Sequence, residues 1–136
     1  MISYFDHTAD VGLAVQANTL SALFTEAAEG MFRIIADLDT VEPRQSKKIQ
    51  VSASTPVRLM VYWLEELLFL HETEQMLFCS FTINTICQTA LTATIWGEPL
   101  DPQKHILNTE IKAVTYHNLH VGYNGAYWTA QIIFDL

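Results

Sequence analysis

Two acidic groups stand at opposite ends of this chain: the polar knot Asp6-His7-Thr8-Ala9-Asp10 and the closing run Phe134-Asp135-Leu136. Half of the sequence is hydrophobic and only 16% is charged, so carboxylates at both ends share chemistry only if folding joins them. Asp135 also neighbours the α-carboxylate of Leu136, which puts two anionic groups in a very short span. Carboxylate oxygens are hard donors; such a set suits Ca²⁺ or Mg²⁺ better than zinc, which recruits Cys and His. It equally suits a cationic partner. Each cluster also has a plainer reading. The first is a turn whose Asp side chains bond nearby amides, and the second is a solvated strand end. Gln131, Ile133 and Asp135 alternate with Trp128, Ala130, Ile132 and Phe134. The apolar set is the core side, so Asp135 points away from it or sits where the sheet frays.

A third constellation spans Lys104 to His117. Glu110 and Lys112 lie two apart, so on a strand they share a face with Val114 and Tyr116. They form either a surface ion pair of small energetic consequence or a pair of charges offered to a partner. His117 and His120 are candidate ligands across a turn, or simply exposed strand histidines. His71-Glu72 opens like a zinc-protease helix, but Gln75 stands where the second histidine belongs. Cys79 and Cys87 are eight apart and form no Cys-x-x-Cys pair; they read as buried free thiols on one side of a continuous strand. No glycine-rich nucleotide or phosphate loop is present.

The elements that must position these groups follow from periodicity. Ile2 to Asp6 and Val11 to Val15 read as short strands, with Gly12 permitting a close backbone approach beside Asp10. Asn18 or Thr19 caps a helix whose apolar residues, Leu20, Leu23, Phe24, Ala27, Ala28, Met31, Phe32 and Ile35, trace one face. Asp37 to Gln45 reads as loop and Lys47 to Ser54 as a half-buried strand. Thr55-Pro56 starts a second helix, running to about Glu74. Leu77 to Cys87 and Thr89 to Trp96 suggest a strand pair, and Gly97 to Pro102, with two prolines, a loop. Glu110 to Val121 reads as a strand, Gly122 to Gly125 as a turn, and Ala126 to Asp135 as the last strand. The expectation is one α+β domain over residues 1–136: a mostly antiparallel sheet with two helices packed on one face.

Composition narrows the function. The formal charge is −8, with seven Lys plus Arg. That argues against stable direct binding of nucleic acid, which needs a concentrated basic surface. Acidity does suit a basic protein partner. No apolar run is long enough to span a bilayer, the first residues lack the order of a secretory signal, and the chain reads as cytoplasmic.

Together, three blocks resemble the archease family: His7-Thr8-Ala9-Asp10-Val11-Gly12; then Gly97-Glu98-Pro99-Leu100-Asp101 leading through His105 to Glu110-Ile111-Lys112-Ala113-Val114-Thr115-Tyr116-His117; and Phe134-Asp135-Leu136. The resemblance implies a compact α+β fold and an accessory protein, not an enzyme, that serves the RtcB-type tRNA-splicing RNA ligase. It would promote guanylylation of that ligase and its repeated turnover in tRNA splicing and RNA repair. The resemblance also implies a divalent-metal site, for Ca²⁺ foremost and alternatively Mg²⁺ or Mn²⁺, at Asp10, Asp135 and an oxygen of Leu136. It further implies partner- or activity-related roles for His7, Glu110 and Lys112. Two other functions fit the residues: a metal-dependent phosphohydrolase with His7 as base, and a chaperone-like modulator of an RNA-modifying methyltransferase.

Overall fold

Alternation at the start of the chain produces a hairpin. In the computed structural model, which describes residues 1–7 and 9–136 and His7 by its backbone alone, Ile2–His7 (β1) runs antiparallel to Asp10–Ala17 (β2). Thr8, within the polar knot, lies outside the described residues. Helix α1, Leu20–Ile35, is capped by Thr19, whose Oγ1 accepts the Ala22 N–H at 3.0 Å. Its periodic face is buried as the spacing predicts, from Leu23 to Ile35. A short 3-10 turn at Leu38–Thr40 interrupts the following loop, and Gln45–Ser52 forms β3.

Helix α2, Pro56–Glu74, begins where Thr55-Pro56 places it, with Thr55 Oγ1 accepting the Arg58 N–H at 3.2 Å. The two helices are stitched together by Trp63, fully buried, whose indole N–H donates to the Phe24 carbonyl at 3.0 Å. The remaining strands are β4 (Met76–Ile86), β5 (Ala90–Pro99), β6 (Ala113–Val114), β7 (His120–Tyr123) and β8 (Trp128–Asp135).

The strands divide into two ladders. One has the order β1-β2-β8-β6, with β7 also pairing β8; the other is β3-β5-β4. Both helices touch both ladders. Against the larger sheet they cover one face, as expected, the one carrying Leu13, Val15, Ala130, Ile132 and Phe134. Phe32 of α1 packs edge-on to Phe78 of β4 at 5.7 Å between ring centroids, joining the helix to the smaller ladder. Among the described residues no helix is long and apolar enough to cross a membrane.

Three local expectations need correction. First, Gly97 to Pro99 is not loop: β5 continues through it, pairing Gly97 with Phe78, Glu98 with Leu77 and Pro99 with Met76. Pro99 is the last residue of the strand, where a missing donor costs nothing to the ladder. Second, Glu110 to Val121 is not one strand. Only Ala113–Val114 and His120–Tyr123 pair, both with β8, and the chain between them turns at Asn118, φ 50°. Third, the cysteines do not share a buried strand side. Register shifts after Phe78 and Ile83 break the alternation of β4, Cys79 is half-buried, and Cys87 lies exposed beyond the strand end. The last strand also starts later than Ala126, because Asn124 Oδ1 accepts the Ala126 and Tyr127 N–H groups and closes the turn.

Gly97 is required where it stands. A β-carbon there would collide with the backbone carbonyl of Leu77, which has no rotamer to escape into. Gly97→Ala is therefore expected to destabilise the protein by about 1–3 kcal/mol, the usual cost of overpacking. Chemical denaturation checks this; an unchanged midpoint would mean that the two strands can separate without penalty.

Candidate metal centre

The hairpin brings the polar knot to one corner of the larger sheet. Register pairs His7 with Asp10, Asp10 with Asp135, and Asp135 with Ala113, so one row crosses β1, β2, β8 and β6. The two ends of the chain thus meet side by side. Directly opposed residues of antiparallel strands project to the same face, with Cβ atoms about 4.5–5.5 Å apart. Because Leu13, Ile132 and Phe134 occupy the core face, Asp10 and Asp135 lie on the opposite, outer face. Both are half-buried, as is Leu136.

Local sequence explains the corner. Just before β2, Ala9 adopts the left-handed region at φ 57°. Next along the outer face comes the row Phe5, Gly12 and Ile133. The Phe5 ring occupies the space that a side chain at Gly12 would need, and Ile133 is buried. An apolar patch therefore floors the outer face beside the carboxylates. The Asp135 carbonyl accepts the Lys112 N–H at 2.8 Å, and Thr115 Oγ1 donates to the Ile133 carbonyl at 2.9 Å. These bonds hold the end of β8 in place, so Asp135 is part of a ladder and not a frayed terminus.

The donor set fits a hard divalent cation. Two carboxylates on adjacent strands repel each other without a cation between them, and the oxygen atoms of Leu136 follow directly. Among the described residues, no group of three or more His, Cys, Asp or Glu side chains is gathered for a metal ion. A Ca²⁺ ion held there would need water or partner oxygens to complete its six to eight ligands.

Glu110 and Lys112 do not join this row. The segment before them makes its backbone bonds to the end of α1: Asn108 and Thr109 donate to Ile35 and Ile34 carbonyls at 2.8 and 3.3 Å, and Asp37 donates to Ile106. Helix ends leave such carbonyls unpaired, so the segment completes α1 instead of extending a strand. Exposed Glu110 and Lys112 flank buried Ile111. Glu110 lines a groove with His71 and Glu72 of α2 and with Gln75 just beyond it, and Lys112 lines its continuation with Glu65, Phe69 and Glu72. Of His7, only the backbone register is described. His120 bonds Thr129 Oγ1 through Nε2 at 3.1 Å, and His71 Nδ1 donates to the Met76 carbonyl at 2.6 Å, tying α2 to β4.

A second polar cluster escaped the sequence reading. Glu98, 5% exposed, accepts the Glu42 N–H at 2.7 Å and Lys104 Nζ at 2.9 Å, with Arg44 Nε at 3.4 Å. His105, equally buried, lies with Nε2 2.9 Å from Glu98 Oε2, while the Asp101 N–H donates to its Nδ1 at 2.9 Å. An amide N–H can only donate, so Nδ1 is unprotonated and Nε2 donates to the carboxylate. Burial alone would raise the Glu98 pKa; the bonds from His105, the Glu42 amide and Lys104 outweigh it and hold it at about 2. Gly97 before Glu98 and the two prolines after it hid it, since they made the segment read as loop. Its pairing with His105, seven residues on, was the available signal.

The comparisons with known proteins point one way. Residues 3–136 match the family model described as the Archease protein family (MTH1598/TM1083). The chain belongs to the archease family. It is 40% identical to the protein archease of Methanopyrus kandleri over 134 residues, 96% of each chain. It is 33% identical to that of Sulfurisphaera tokodaii, over 98% of this chain and 96% of the relative. The solution structure of Methanobacterium thermoautotrophicum protein 1598 superposes with a TM-score of 0.83 at 32% identity, over 99% of this chain and 98% of that one. A Thermotoga maritima archease, described as a possible chaperone, shares the fold with a TM-score of 0.66 at 19% identity, over 100% and 98% of the two chains.

Proposed function

We propose that this archease-family chain is an accessory protein of an RtcB-type tRNA-splicing RNA ligase, promoting guanylylation of the ligase so that it turns over repeatedly. It does not itself join RNA. The observation that carries this reading is the register that sets Asp10 against Asp135 at a sheet corner beside Lys112. Asp10, Asp135 and a Leu136 oxygen would hold a divalent cation, Ca²⁺ in preference to Mg²⁺ or Mn²⁺. Bound there, the cation would supply positive charge where triphosphate oxygens gather.

The residues of the chain supply the rest. The carboxylates bind on one face, incompletely, so that a partner's oxygen atoms can share the site. The Lys112–Asp135 backbone bond keeps the last strand from fraying as the partner docks. The negative charge of the whole chain favours a basic docking surface and steers its approach.

The deciding experiment is ligation with substoichiometric ligase, GTP and RNA ends, with and without this protein. Product per ligase is expected to rise well above one turnover when the protein is added. No rise would sink the reading. Turnover of phosphoesters by the isolated protein with Mn²⁺, lost on Asp10→Ala, would replace it with a hydrolase.

A further inference from the structure

A groove runs between α2 and the segment 107–114. Its wider part has a volume of about 450 Å³ and is lined by His71, Glu72, Gln75, Leu107 and Glu110, among others. Its continuation is lined by Glu65, Phe69, Glu72 and Lys112. Glu72 lines both, so the two parts adjoin.

Three observations indicate what fits there. The first is charge. Elsewhere among the described residues five of the six glutamates, Glu26, Glu29, Glu42, Glu74 and Glu98, each hold a cation, and Glu66 does not. Glu65, Glu72 and Glu110, the three glutamates of the groove, hold none, and Lys112 alone opposes them. The second is apolar exposure: Leu107, in the wider part, is 47% exposed and Phe69, in its continuation, 57%. The third is desolvation, which already raises the Glu65 pKa, so an incoming cation would relieve a cost that the free protein carries.

We infer that this groove binds an extended basic peptide segment of a partner protein, with Arg or Lys side chains set against Glu65, Glu72 and Glu110 and an apolar residue against Phe69. The spacing follows from geometry. Glu65 to Glu72 spans about 10 Å along the helix, at about 1.5 Å per residue. That equals about three residues of extended chain. Cations three apart, with an apolar residue between them, match both carboxylates and the ring. His71, on the same wall, is held in place by its Nδ1–H, which donates to the Met76 carbonyl. A second copy of this chain is a poor occupant, because each copy carries a formal charge of −8. RNA is a poor one for the same reason.

The test needs no ligase, so its failure is separate from failure of the ligase reading. A fluorescein-labelled dodecapeptide repeating Arg-Ser-Leu is titrated with the full chain and followed by anisotropy. An Glu-Ser-Leu peptide and a labelled single-stranded RNA serve as comparisons. Glu65→Gln and Glu72→Gln are each expected to weaken binding about threefold to fivefold, and the double variant about tenfold or more. Phe69→Ser should weaken it as well. Glu29→Gln, on α1 and paired to Arg33, should leave it unchanged. Equal binding by all variants, preference for the acidic peptide or the RNA, or no binding at all would overturn the inference.

Discussion

Asp135→Asn is expected to abolish ligase stimulation, a fall of at least about tenfold in multiple-turnover product, without unfolding the protein. The reasoning starts from register. Asp135 faces Asp10 across the β2–β8 ladder, and like charges directly opposed cost up to about 1 kcal/mol. Removing one charge keeps the amide isostere and relieves that repulsion, so the metal-free variant should be as stable as its parent or gain a few tenths of a kcal/mol. The same change removes half of the carboxylate donor set. Calorimetry with and without Ca²⁺ separates the two effects. The parent should gain about 2.7 kcal/mol at a hundred times the dissociation constant, and the variant should gain almost nothing. If the variant keeps both the calcium shift and the stimulation, the corner is not the site.

Glu98→Ala should be among the most destabilising single changes outside the apolar core, at about 2–4 kcal/mol, because it leaves buried His105 and the part-buried Glu42 amide without their acceptor. Glu98 ties together Glu42, Lys104 and His105 from segments far apart in the chain. Glu98→Gln keeps an acceptor oxygen and should cost less, about 1–3 kcal/mol. The same cluster sets an acid limit. The Glu98 pKa falls from 4.5 to about 2 on folding, so the folded state gains from its ionised form. That stability is present above pH 4.5 and is lost as pH falls through about 2. Urea midpoints between pH 6 and pH 2 check this: the parent's slope with pH should flatten in Glu98→Gln. An identical slope in both proteins would assign the acid sensitivity to other carboxylates.

Both helices were legible because each carries a complete local signal, a hydroxyl cap and a 3.6-residue apolar repeat, that needs no distant contact. Thr19 and Thr55 cap where their positions suggest, and the strands flanking the first hairpin follow from alternation alone. Glu110 to Val121 misled for the opposite reason. Its alternation is strand-like, but just before it Asn108 and Thr109 donate to the carbonyls at the end of α1, and Asn118 turns the chain in a left-handed conformation. Gly97 to Pro99 misled because glycine and proline usually end strands. Here the glycine is demanded by the Leu77 carbonyl and the proline sits at the last ladder position.

By itself, then, the sequence determined the helices, most strand positions, the acidic character of the surface and the family resemblance, all of which rest on residue types and short spacings. Only the tertiary structure decided that Asp10 and Asp135 stand opposite each other, since that depends on the pairing of strands 125 residues apart, which no local pattern encodes. It also decided that Glu98 is a buried anion held by His105, and that Glu110 and Lys112 face a groove along α2 instead of the carboxylate corner. Register is set by packing of the whole inner face, where a slip of one residue would turn Leu13, Ile132 and Phe134 out of the core.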